Sequence, residues 1–293
     1  MVEFESYISM SPHAPTLCIY HSPCADGFSA AWAVWRKYGD SIKYLPGIHG
    51  VVPPTVADEH VWFVDFSYKN EVMRSVIEAA ASVTVLDHHK SAEADLAPLL
   101  ADGSIGGLFD MNRSGAVIAW QYCHPDAPVP DLLLHVQDYD LWQFTRPDTR
   151  AIVAVMCSYE YDFETWDRLA RQCARPHVKT KMIAEGVAIE RKLQKDVKEM
   201  LTLTTRSMVI GGMHVPVANL PVTMASEGAN QLAQNAPFAA AYYDRADGRV
   251  FSLRSVGIDV SEIAARYGGG GHHHAAGFQA EHGWEGDRPE EKV

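Results

Sequence analysis

Short β-branched apolar runs recur through the first part of this chain, and each ends on residues able to carry chemistry. Residues 16–20 run into His21, residues 61–64 run into Asp65, and residues 81–86 run into Asp87, His88 and His89. Their length and composition are those of buried strands. Helical spacing appears between them, over 27–35 and again over 70–80, where Val72, Met73, Val76 and Ile77 share one side. A further short strand is read at 42–45, and a Pro-containing loop at 51–55. This alternation, up to about residue 125, predicts an α/β fold: a parallel β-sheet flanked by helices on both faces. Residues 114–142 read as two helical pieces broken at Pro125, Pro128 and Pro130, with Ser114 as the first cap. Helical patterns continue over 150–172, and 181–200 reads as an amphipathic helix with Ile183, Val187, Ile189 and Leu193 against Glu185, Glu190, Arg191 and Lys192.

A second pattern begins near Thr205. Residues 208–217 read as a hairpin turning at Gly211 and Gly212, and Pro216 suggests an edge strand. Strands at 238–243 and 250–254 follow, with a helical segment at 226–234 before them. The reading is a first domain over 14–180, a helical linker over 181–204, a smaller mixed α/β C-terminal domain over 205–281, and a polar tail over 282–293.

Composition narrows the function. The chain has 293 residues and a formal net charge of -12, from 25 Lys and Arg against 37 Asp and Glu. A broad basic face for long-duplex nucleic acid is excluded, whereas a small anionic ligand gripped by metals and a few Arg or His residues is not. Five cysteines without a CxxC pair argue against a usual structural zinc site and for a reducing, cytoplasmic setting. The start of the chain carries Glu3 and Glu5 and no basic-then-apolar signal pattern, and no apolar run approaches a membrane span. A homodimer is compatible with all of this.

His21, Asp26, Asp65, His88 and Asp138 offer two imidazoles and three carboxylates. Each taken alone has a bland reading: an Asp after a strand starts a turn or caps a helix, and Asp138 and Asp140 fit a solvated helix face. Together, at equivalent strand ends, they fit a pair of divalent cations with Asp65 between them, and mixed O/N ligation favours manganese.

The run from Val85 to His89 resembles the signature of the DHH phosphoesterase superfamily. The segments His21 to Gly27, Val64-Asp65 and Asp138 to Trp142 follow its order, and Gly269 to Gly277 resembles the GGGHxxAAG motif of the DHH-associated C-terminal domain. The resemblance implies one metal held by His21, Cys24 and Asp65, and another held by Asp26, Asp65, His88 and Asp138, with Asp140 in reserve. It makes His89 the phosphate-facing group and Asp87 the residue that orients the imidazoles. Gly270, Gly271, His272 and Arg254 would bind substrate. Arg113, at a probable helix start, either contacts phosphate or belongs to a cap.

One position departs from the family pattern: Cys24 stands where an acid is usual, and either ligates as a thiolate or packs. The implied activity is two-metal hydrolysis, by an activated water, of phosphodiester or phosphomonoester bonds in small nucleotides. Short oligoribonucleotides, linear or cyclic dinucleotides and 3′-phosphoadenosine nucleotides are the expected substrates. The alternatives are an inorganic pyrophosphatase and a catalytically weakened nucleotide sensor.

Overall fold

The computed structural model describes residues 13–287. Glu3, Glu5 and the last residues of the polar tail therefore lie outside the described residues. The chain divides into two compact units between Glu190 and Arg191.

The first unit begins with β1 (Leu17–His21), α1 (Ala25–Tyr38), β2 (Lys43–Gly47), β3 (His60–Val64), α2 (Asn70–Ala79), β4 (Ser82–Asp87), α3 (Lys90–Ala101) and β5 (Gly106–Phe109). The five strands form one sheet in the order β2-β1-β3-β4-β5, every neighbouring pair parallel. Alternate residues feed two cores. Cys18, Trp62, Leu86 and Leu108 pack with Trp32 of α1, while Leu17, Ile19, Phe63 and Val85 pack with Met73 of α2 and Leu96 of α3. Strands buried on both faces explain the unbroken apolar runs. The sequence reading missed α3 and β5. Gly106 and Gly107 have no side chains to announce a strand, and Pro98 interrupts the helical signal of α3.

Helices α4 (Gly115–Cys123), α5 (Asp131–Asp140), α6 (Thr149–Met156) and α7 (Phe163–Cys173) complete this unit. They contribute Ile118, Leu132, Ile152 and Trp166 to the core shared with α1. The Ser114 hydroxyl caps α4, accepting the Val117 N–H at 3.5 Å. Helix α8 (Pro176–Thr204) covers the segment read as a linker, and the boundary between the units falls inside it.

The second unit holds β6 (Arg206–Ile210), β7 (Met213–Asn219), α9 (Val222–Ala233), β8 (Ala239–Arg245), β9 (Gly248–Arg254), α10 (Val260–Ala265), β10 (Gly270–Gly271) and β11 (Ala275–Ala280). Its six-stranded sheet runs β10-β11-β9-β8-β7-β6 and is mixed, because α9 makes a parallel crossover between β7 and β8. The edge strand on this side of the sheet is β6 rather than the strand bearing Pro216. Pro216 is tolerated in β7 because pairing with β8 starts only at Val217.

Candidate metal centre

The strand order changes direction between β1 and β3. In open parallel sheets the crevice beyond the carboxyl ends of such strands is where ligands bind. Register brings the chemistry there. Tyr20 pairs with Val64, and Val64 with Leu86, so His21, Asp65 and Asp87 leave the sheet at one level. Asp65 has φ 55°, in the left-handed region, while its N–H still donates to the Leu86 carbonyl at 2.8 Å. A non-glycine residue kept there marks a site where surrounding structure over-determines the backbone.

His88 is fully buried and its Nε2 faces three carboxylates: Asp65 Oδ1 at 3.1 Å, Asp140 Oδ2 at 3.4 Å and Asp26 Oδ2 at 3.7 Å. Asp26, in the first turn of α1, is aimed by the start of α4: it accepts the Gly115 N–H at 2.7 Å and the Ala116 N–H at 3.1 Å. On the other side of Asp65, Oδ2 lies 3.4 Å from His21 Nδ1. His89 is held by Asp87, whose Oδ1 accepts from the His89 ring at 2.7 Å and from the His88 N–H at 2.7 Å. Asp87 therefore fixes the ring of His89 and the backbone of His88.

Two sets of donor atoms result: Asp26, Asp65 and His88, and His21, Asp65 and His89. Within each set one ligand atom per residue lies within 4.8 Å of the others, and Asp65 belongs to both. The electrostatics call for positive charge. Burial and the neighbouring charges of Asp65 and Asp140 push the Asp26 carboxyl well above its usual range. Burial also raises Asp140, against the pull of His88. Burial would raise Asp65 too, but the imidazoles of His21 and His88 beside it hold it well below the ordinary carboxylate range. Burial alone would lower His88; the hydrogen bond to Asp65 and the charges of Asp140, Asp65 and Asp26 outweigh it and push the imidazole up to about 10. Asp65 Oδ1 is buried with no well-directed hydrogen-bond donor. Oxygen and imidazole donors crowded around one buried carboxylate fit a metal centre.

The helical carboxylate of this cluster is Asp140, and the expectation for Asp138 is corrected. Asp138 points away into the turn after α5, where its oxygens accept from Thr145 N and Oγ1, Arg146 N and Thr149 Oγ1. Two residues along a helix turn a side chain by about 200°, so only one of the pair can face His88. Cys24 is the N-cap residue of α1 and belongs to neither donor set, and burial followed by the charges of Asp65, Asp140 and Asp26 pushes its thiol well up. Arg113 is committed to Asp110 at 2.6 Å and Gln121 at 2.5 Å, and the α4 amides expected to meet phosphate are taken by Asp26. The helix start thus positions a carboxylate, and Arg113 is engaged by its own neighbours.

His49 escaped the sequence reading. It lies two residues beyond β2, at the same end of the sheet, with its ring 5.3 Å from the His21 ring and 4.7 Å from Phe66. Its position just past the strand read at 42–45 was the available signal.

In the second unit, β11 pairs Ala275 with Arg254 of β9, and residues 272–275 form a tight turn closed by His272 N–H to the Ala275 carbonyl at 2.8 Å. Gly271, at φ 140°, and Gly270 pair with Ala276 and Gly277. Gly270, Gly271, His272 and Arg254 thus share one end of this sheet. The Arg254 guanidinium donates to Ser226 Oγ at 2.6 Å.

A third donor set, Asp131, His135 and Cys173, already holds a cation of its own: Lys179 Nζ lies 2.6 Å from Asp131 and 3.0 Å from His135.

Comparison with known proteins matches residues 216–291 to the DHHA1 domain model. An uncharacterized protein of Acanthamoeba polyphaga mimivirus is 31% identical over 301 residues, covering 94% of this chain and 69% of the viral protein. Among solved structures, a DHH domain described as a member of the s1p family of ribosomal proteins matches with 12% identity and a TM-score of 0.58, over 90% of this chain and 82% of that one. A pGpG-specific phosphodiesterase from Vibrio cholerae matches with 16% identity and a TM-score of 0.47, over 91% of this chain and 93% of that one.

Proposed function

The chain belongs to the DHH phosphoesterase superfamily with a C-terminal DHHA1 domain, and from this we propose that it is a metal-dependent phosphohydrolase acting on small nucleotides. The observation that carries the proposal is the division of Asp65 between two imidazoles, Oδ1 toward His88 and Oδ2 toward His21. A carboxylate so divided would be shared by two cations. Asp26, Asp65, His88 and Asp140 would hold one cation; His21 and Asp65 would hold the other. Bound divalent cations, manganese first among them, supply charge to phosphoryl oxygens and acidify water.

The chain's own groups do the rest. Asp87 holds the Nδ1 proton of His89 and sets the plane of that ring, which meets the phosphoryl group. The α4 amides keep Asp26 aimed at the centre at no cost in reorganisation. His272, Gly270, Gly271 and Arg254 of the DHHA1 domain select the rest of the substrate. The net charge of -12 supports a short substrate over a long duplex.

The test is a substrate panel with manganese: linear and cyclic dinucleotides, short oligoribonucleotides, 3′-phosphoadenosine nucleotides and pyrophosphate. Cleavage of a nucleotide supports the proposal. Orthophosphate release from pyrophosphate alone would replace it with a pyrophosphatase, and binding without turnover under every divalent metal would replace it with a sensor.

A further inference from the structure

Asp138 is an acid in the last turn of α5, where the helix dipole disfavours negative charge. Helix stability does not account for it; its partners do. Besides the Thr145 and Arg146 groups, its Oδ2 accepts the Thr149 hydroxyl at 2.6 Å, and its carbonyl accepts the Gln143 N–H at 2.9 Å. The Thr149 oxygen lies 2.9 Å from His135 Nδ1, and His135 Nε2 lies 3.0 Å from Lys179 Nζ. Lys179 has only protons to give, so His135 must accept at Nε2 and donate from Nδ1. Thr149 then accepts from His135 and donates to Asp138. The donors all run one way, from α8 through α5 and α6 back to α5, and both His135 and Thr149 are buried.

The segment secured by this relay is unusual. Trp142, Phe144 and Asp148 all sit at positive φ, 55°, 49° and 66°, within the turn that follows Asp140. Non-glycine residues in that region need external support. The same turn sets how the last residue of α5 leaves the helix, and that residue is Asp140, whose Oδ2 lies 3.4 Å from His88.

We propose that Asp138 is a positioning residue: through the Thr149–His135–Lys179 relay it fixes the turn after α5 and so aims the Asp140 carboxylate at the centre. The proposal rests on the reading of that centre as a cation site. Its test is manganese affinity, measured by calorimetry on the full chain, for Asp138→Asn, Thr149→Val, Thr149→Ser and Asp140→Asn. Because Asp138→Asn alters a buried carboxylate, Thr149→Val serves as the milder break and Thr149→Ser as the rescue.

Asp138→Asn and Thr149→Val should each weaken binding of one cation roughly 10–100-fold, as loss of a ligand-orienting partner does. Thr149→Ser should retain wild-type affinity, and neither break should add to the loss caused by Asp140→Asn. Unaltered affinity in both breaks, or losses additive with Asp140→Asn, would overturn the positioning role while leaving the centre intact. A wild-type chain that binds no divalent cation would overturn the reading of the centre, and the role with it.

Discussion

A methyl group placed on Gly115 would stand 2.4 Å from Asp65 Cβ and 2.8 Å from its Oδ1. The start of α4 therefore touches the carboxylate shared by both donor sets while its amides hold Asp26. Exchange of a helical glycine for alanine ordinarily stabilises by about 1 kcal/mol. Here Gly115→Ala should instead displace Asp65 and lower manganese affinity roughly tenfold or more, with turnover falling in parallel. Calorimetry and circular dichroism separate the two effects. A more stable variant with unaltered affinity would show that Asp65 can yield without consequence.

The cluster also predicts a pH dependence of known sign. His88, Asp26 and Asp140 all have pKa values raised above their ordinary ones. At these three groups the folded chain then binds more protons than the unfolded chain, and their contribution to stability falls as pH rises. For His88 the contribution is fully present below about 6.5 and is lost as pH rises through about 10. Chelator-treated protein should thus melt at lower temperature at pH 9 than at pH 6. Added manganese should reverse the trend, since cation binding releases those protons and tightens with pH. Thermal melts at both pH values, with chelator and with manganese, check this; a chelated protein more stable at pH 9 would contradict it.

Cys24 lies in neither donor set. Cys24→Ser should leave the number of bound cations unaltered and their affinity within about threefold, allowing for the roughly 0.5 kcal/mol scatter of benign changes. Loss of one cation would restore Cys24 to the ligand shell.

In the DHHA1 domain, the substrate-binding role proposed for His272 predicts that His272→Ala raises KM and leaves kcat and metal content near wild type. Steady-state kinetics with metal analysis decide it. Metal loss on substitution would give His272 a different role.

The carboxyl ends of β1, β3 and β4 could be read in advance because strands buried on both faces leave unbroken apolar runs, after which His21, Asp65 and Asp87 stand out. The glycines of β5 carry no such signal. The choice between Asp138 and Asp140 was beyond the sequence for a different reason. Both lie on one helix end, and the rotation of α5 against its neighbouring helices, set by Leu132, Leu133 and Val136 in the core, decides which carboxylate meets His88. Arg113 looked available because Asp110 and Gln121, its partners, are local and undistinguished in sequence. His49 was passed over although the strand before it was read, because it stands two residues beyond that strand with no second polar group beside it.

Asp65 is the residue on which the account turns, and the paramagnetism of manganese reports on it directly. Wild-type chain titrated with manganese should bind two ions whose electron paramagnetic resonance spectrum is exchange-coupled, and Asp65→Ala should abolish the coupling and lose at least one ion. Two uncoupled ions in the wild type, or a coupled pair that survives Asp65→Ala, would contradict a shared carboxylate.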